Sequence, residues 1–111
     1  MKPDKVLAMV GMAAKAGMVV SGEFSTEKAV KNGRACLVIV AQDASDNTKK
    51  HFNDMCTYRK LPYFEYAGKE QLGYCIGKQF RASLAILDEH FADVVQKRLM
   101  EDQQLNNGGN K

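Results

Sequence analysis

Apolar residues recur along this chain at two alternating spacings, one helical and one extended. Val6, Met9, Val10 and Ala13 fall at i, i+3, i+4 and i+7, the spacing of an amphipathic helix with one buried stripe. Asp4 is placed to cap that helix and Gly17 to stop it. Met18 to Val20 reads as a brief strand. Cys36 to Val40, "CLVIV", is an unbroken apolar run of the kind found in a strand covered on both faces. After "AQDAS", Ser45 or Asp46 can cap a helix that carries Phe52, Met55, Cys56 and Arg59 on one stripe, and Pro62 blocks its continuation before a strand from Tyr63 to Tyr66. A short helix from Lys69 brings Leu72, Cys75 and Ile76 together and ends at Gly77. Ser83 to Leu87 makes the last strand, and Phe91, Val94, Val95 and Leu99 mark a closing helix. Cys56 and Cys75 therefore read as core. The final "NNGGNK" has nothing to bury, so residues 104–111 are expected to be a disordered tail behind a single domain, 1–103.

Strands and helices that alternate in this way have one stable solution, an α/β sandwich in which a sheet of about four strands lies between helical layers. A chain of 111 residues is long enough for one such core. Neither an internal repeat nor a linker interrupts it.

Composition narrows the function. Apolar content of 45% and charged content of 26% exclude global disorder. No apolar run reaches the roughly 18 residues of a membrane span, and the opening MKPDK lacks a secretory apolar stretch, so a cytoplasmic protein with no membrane partner is expected. Cys36, Cys56 and Cys75 are odd in number and form no C-x-x-C pair, which points to neither a disulfide framework nor a zinc site. His51 and His90 have no partner at metal or triad spacing. "DASDNTKK" is explained by turn and capping chemistry and fails the calcium-loop spacing. With no nucleophile or base constellation, the sequence predicts no enzyme, no metal and no cofactor.

The net charge of +3 permits an anionic partner, and "SGEFSTEK", Ser21 to Lys28, says where one would sit. On a helix begun after Gly22, Thr26, Ala29 and Val30 share one side, with Gly33 as the stop, while Phe24, Lys28 and Lys31 share the other. An N-cap at Ser21 or Gly22 leaves backbone N–H groups and the positive helix end available to an anion, and glycine lets a phosphate approach without meeting a side chain. The plain alternative is a solvated face, with Glu27 and Lys31 as an i, i+4 pair. A second feature lies in "KQFRA", where Lys78 and Arg81 bracket Phe80 in a loop. Cations around an aromatic suit a sugar-phosphate backbone with an unpaired base; a connection with Phe80 folded into the core is the other reading.

The stretches "GMAAKAGMVVSGEFSTEKAVKNGRACLVIVAQDAS", "LPYFEYAGKEQLGYCIGK" and "SLAILD" resemble the small bacterial YlxQ-type proteins of the ribosomal superfamily related to archaeal L-seven-Ae, whose members bind kink-turn RNA. The similarity runs from about Val6 to Asp88. It implies a three-layer α/β/α sandwich with a mixed, four-stranded sheet, and an RNA surface made by the start of the second helix and the loop before the last strand. Gly22 and Lys28 occupy the glycine and lysine positions of the family's RNA motif, and Arg34 follows the helix. The polar pair that commonly reads guanines, an Asn followed by a Glu, is replaced by Phe24 and Ser25. The loop, more basic and shorter than the archaeal version, transfers Lys78, Gln79, Phe80 and Arg81 by location only.

The expected function is therefore non-catalytic binding of bent or looped structured RNA in a ribosomal or other ribonucleoprotein context. Contacts are expected at Lys15, Gly22, Glu23, Phe24, Ser25, Lys28, Lys31 and Arg34 and at the loop Lys78 to Arg81. No DNA specificity is expected. A protein-interaction adaptor of the same fold, using Phe24 as a contact, is the rival. Salt separates the two. If Lys15, Lys28, Lys31 and Arg81 each neutralise a phosphate, affinity falls with a log–log slope of roughly −3 to −4.

Overall fold

A computed structural model describes residues 4–108, with side chains through residue 102. Among the described residues nine elements follow one another: α1 (Lys5–Lys15), β1 (Val19–Ser21), α2 (Glu23–Lys31), β2 (Leu37–Val40), α3 (Asp46–Arg59), β3 (Tyr63–Glu65), α4 (Lys69–Cys75), β4 (Ser83–Ile86) and α5 (Glu89–Gly108). The expected strands each lose one flanking residue: Met18, Cys36, Tyr66 and Leu87 lie just outside the ladders, and β1 gains Ser21.

The sheet is mixed, in the order β1-β4-β2-β3. β4 runs antiparallel to both β1 and β2, and β3 runs parallel to β2. The two central strands are buried at every position, as the apolar run of β2 predicts. Period-two alternation through the register Leu37↔Ile86 and Ile39↔Leu84 sends those four side chains to one face and Val38, Val40, Ser83 and Ala85 to the other. On one side α1 packs against α4 and α5, which also cover β4; on the other, α2 lies over β1 and β4 beside α3, which lies over β2 and β3. The result is the expected α/β/α sandwich.

Helix stripes bury as their spacing predicts. Val6, Val10 and Ala13 of α1, Thr26, Ala29 and Val30 of α2, and Phe52 and Cys56 of α3 are buried. Arg59, aligned with the α3 stripe, is exposed because it stands at the helix end. Cys75 is half-buried; burial first, then the nearby Asp4 charge, push its thiol up to about 11, and burial pushes Cys56 up to about 11 as well. Burial also raises Cys36, together with Glu89 and Asp88. All three thiols are protonated and unreactive at neutral pH. Among the described residues, the buried polar pair is matched: the Ser83 hydroxyl donates to Thr26 at 3.4 Å across the α2–β4 contact.

α5 continues through Gly108, so residues 104–108, expected to be unstructured, have helical backbone. Nothing in "EDQQLNN" breaks a helix before the paired glycines. Residues 109–111, the rest of the expected tail, lie outside the described residues.

Asp4 joins the first helix to the far edge of the sheet. Its Oδ1 accepts from the Leu7 N–H at 2.9 Å, and its Oδ2 accepts from the Tyr66 hydroxyl at 2.8 Å. Burial, and then the Asp4 carboxylate, hold that hydroxyl in its protonated form well above the usual range. Asp4→Ala removes a cap and strands the hydroxyl. It is expected to cost about 1–2 kcal/mol in a urea melt, and an unchanged midpoint contradicts the link.

Candidate nucleic-acid interface

Strand direction decides which loops meet. β1, β2 and β3 all end, and β4 begins, at one edge of the sheet, through the pairs Ser21↔Leu84, Val40↔Ser83 and Val40↔Glu65. The helices that follow β1, β2 and β3 therefore all present their N-termini at that edge. Two of them are capped. Ser45 Oγ accepts from the Thr48 N–H at 3.1 Å on α3. On α4, Asp43 takes the Lys69 N–H and Gln71 takes the Gly68 N–H, both at 2.9 Å.

The N-terminus of α2 has no side-chain cap, because its N-cap is Gly22. Gly22 adopts φ 90° and ψ 158°, and its own N–H is committed to Ser83 O at 2.9 Å. The free donors are therefore those of Glu23, Phe24 and Ser25, since the first intrahelical bond runs from the Thr26 N–H to Gly22 O. A Cβ at Gly22 would have no heavy atom within 4 Å, so the helix entrance is open. All three residues beside it are exposed, Phe24 at 78%. Lys28 lies one turn on, also exposed. A groove along this side of α2 is lined by Glu23, Phe24, Glu27, Lys28, Lys31 and Asn32.

The loop before β4 reaches the same place by folding back along α4. The Lys78 N–H bonds Gly73 O at 2.8 Å, the Arg81 N–H bonds Lys69 O at 3.1 Å, and the backbone of Gln79 and Phe80 lies directly on Gly73. Arg81 then ties the loop to the end of β1: its Nε donates to Ser21 Oγ at 3.0 Å and its Nη1 to Phe80 O at 2.9 Å. Part of the guanidinium expected to clamp RNA is thus fixing the loop, although its charge meets no carboxylate among the described residues. Phe80 points outward at 65% exposure instead of entering the core.

Lys28 and Lys78 likewise pair with no carboxylate among the described residues, whereas Lys31 is held by Glu27 at 2.7 Å. Lys15 and Arg34 do not join the group. Lys15 ends α1 before β1 starts, and Arg34 follows α2 before β2 starts, which places both at the opposite edge of the sheet. Lys15, in the last turn of α1, offsets the helix dipole there.

Sequence reasoning missed Tyr74. It is 84% exposed on α4 and, with Glu70, Lys78, Gln79, Phe80 and Arg81, lines an open pocket of about 350 Å³. Its signal was present: like Phe24, it is an aromatic residue off the apolar stripe of its helix. The described residues contain no cluster able to hold a metal ion and no helix long and apolar enough to cross a membrane.

Residues 4–96 match the model of the ribosomal protein L7Ae/L30e/S12e/Gadd45 family. The RNA-binding protein YlxQ of Bacillus subtilis (strain 168) is 42% identical over 85 residues, which cover 77% of this chain and 85% of that protein. The RNA-binding protein YlxQ of Enterococcus faecium is 38% identical over 89 residues, 80% of this chain and 85% of that one. Among solved structures, a protein with unknown function from Bacillus halodurans C superposes with a TM-score of 0.84 at 33% identity, covering 86% of this chain and 97% of that one. The Giardia lamblia 15.5kD RNA binding protein shares the fold at a TM-score of 0.75 and 23% identity, over 95% and 93% of the two chains. The chain is a YlxQ-type member of the ribosomal protein L7Ae/L30e/S12e/Gadd45 family.

Proposed function

We propose that this protein is a non-catalytic RNA binder that grips bent, structured RNA of the kink-turn kind, in a ribosomal or other ribonucleoprotein setting. The observation that carries the reading is the Arg81–Ser21 tether, which holds a basic, aromatic loop beside the open entrance of α2. Backbone donors at Glu23 to Ser25 receive a phosphate or a base edge, and the missing Cβ of Gly22 gives room for it. Lys28 takes a phosphate or a guanine edge. Phe24, Phe80 and Tyr74 are platforms for unpaired bases, an interaction worth about 1–3 kcal/mol per base. Lys78 and Arg81 hold the strand on the far side. The two YlxQ relatives are named as RNA-binding proteins, in keeping with this assignment.

Among the expected contacts, Lys28, Lys78 and Arg81 lie at this site and pair with no carboxylate of the described residues, so the log–log salt slope is expected to be roughly −2 to −3. That is shallower than a count including Lys15 and Lys31. Titration against a kink-turn duplex and a plain duplex of equal length tests the reading, with tighter binding of the former expected. Lys28→Ala should weaken binding about tenfold, the size of one charged hydrogen bond, and leave the thermal midpoint in place because Lys28 is exposed. Equal affinity for both duplexes removes kink-turn selectivity. Salt-insensitive capture of a protein in place of RNA turns the exposed Phe24 into an adaptor contact.

A further inference from the structure

One cluster on the outer side of α2 has no part in the contacts above. Glu27 holds two partners at once: Lys31 Nζ lies 2.7 Å from its Oε2, and His51 Nε2, from α3, lies 2.8 Å from its Oε1. Glu27 and Lys31 line the same groove as Phe24 and Lys28, and Lys31 stands about 4.5 Å further along the helix axis than Lys28. With a neutral imidazole the three side chains carry no net charge, and Lys31 is occupied. A phosphate drawn to Lys31 would then also meet the Glu27 carboxylate, which it repels. With a proton on His51 the carboxylate keeps one cation after Lys31 turns away, and the cluster carries one positive charge.

We propose that Lys31 is a proton-gated phosphate contact, released to RNA when His51 is protonated and takes over the Glu27 carboxylate. The inference rests on the RNA reading given above. His51 touches no RNA in this scheme; it is a positioning residue acting through Glu27. Imidazoles exchange their proton between about pH 5 and 8. The Lys31 hydrogen bond, and then that of His51, hold the Glu27 carboxyl below its usual range, so the carboxylate stays charged through that window. Other charged groups stand on α3 and on the elements packed against it, and on α2 Glu23 and Lys28 make no ion pair among the described residues. Lys50 pairs with Asp54 at 2.9 Å on α3 itself, and Lys49 approaches Glu65 of β3 at 3.9 Å while Tyr63 donates to the same Glu65. β2, the other strand beneath α3, is entirely apolar, and Asp46 and Arg59 stand at the two ends of α3.

The sign follows from the proton count: the complex binds up to one proton more than the free partners, so affinity falls as pH rises. The full chain is titrated into a kink-turn duplex at about pH 6 and about pH 8, at one salt concentration. Wild type should bind about fivefold more tightly at the lower pH, the size of one exposed charge pair. H51Q, which can still donate to Glu27 but takes up no proton, should bind at the weaker level at both. E27Q leaves Lys31 free throughout and should bind at the tighter level at both, with a salt slope steeper by about 0.8 than wild type at the higher pH. Protons taken up by the RNA itself appear equally with H51Q and cancel. A wild-type response that H51Q retains, or no response at all, overturns this inference alone. Absence of binding at either pH overturns the RNA reading and this inference with it.

Discussion

Gly73→Ala is expected to weaken RNA binding by on the order of tenfold to a hundredfold and to lower stability by about 1–3 kcal/mol. The added Cβ would sit 1.5 Å from Gln79 O, 2.5 Å from Gln79 C and 3.2 Å from Phe80 N. All three are backbone atoms, so no side-chain rotation relieves the clash and the loop itself must lift. Alanine favours a helix over glycine by about 1 kcal/mol, which is too little to offset an overlap of that depth. Lifting the loop breaks the bonds from the Lys78 N–H to Gly73 O and from the Arg81 N–H to Lys69 O, and draws Arg81 away from Ser21. Lys78, Phe80 and Arg81 then leave the α2 entrance together. A urea melt and a gel shift well below the unfolding midpoint read the two effects separately. Full RNA affinity in a variant that melts early shows that the loop is scaffold and not interface.

The division of α2 into Thr26, Ala29 and Val30 inside and Phe24 and Lys28 outside was legible from helical period alone, because small and branched side chains recur where the sheet lies beneath. Element types were legible for the same reason, and strand ends slipped by a residue because Met18, Cys36 and Leu87 have the composition of a strand but keep only single cross-strand bonds, from the Cys36 N–H to Ile86 O and from the Leu87 N–H to Met18 O. What local pattern does not encode is strand direction. Lys15 and Arg34 look like further cations of one basic surface until the order β1-β4-β2-β3 puts them at the opposite edge. Nor does spacing reveal that Gly73 is a contact for returning backbone, or that Arg81 spends two donors on Ser21 and Phe80. Both depend on atoms brought together only once the chain has folded. The Glu27–Lys31 pair was readable as i, i+4, but its third member, His51, arrives from another helix. Tyr74 needed only the argument already applied to Phe24.

Gly22→Ala separates strain from contact. The backbone there, φ 90° and ψ 158°, lies in a region open essentially to glycine alone, and holding another residue in it costs about 1–3 kcal/mol. The new Cβ has no neighbour within 4 Å, so the loss comes from the backbone and not from crowding. Relief requires rotating φ, which pulls the Gly22 N–H from Ser83 O or its carbonyl from the Thr26 N–H, both at 2.9 Å. Either movement re-aims the donors of Glu23 to Ser25, and the methyl group stands where a phosphate would approach. Stability should fall by that amount, and RNA affinity should fall about tenfold in protein that is still folded, equivalent to one lost charged hydrogen bond. Gly33→Ala is the matched control. Gly33 has φ 75° and an equally open Cβ position at the other end of α2, so it should lose stability and keep its affinity. If both variants bind RNA as wild type does, the entrance of α2 is a turn and nothing more, and the socket built on it has no occupant.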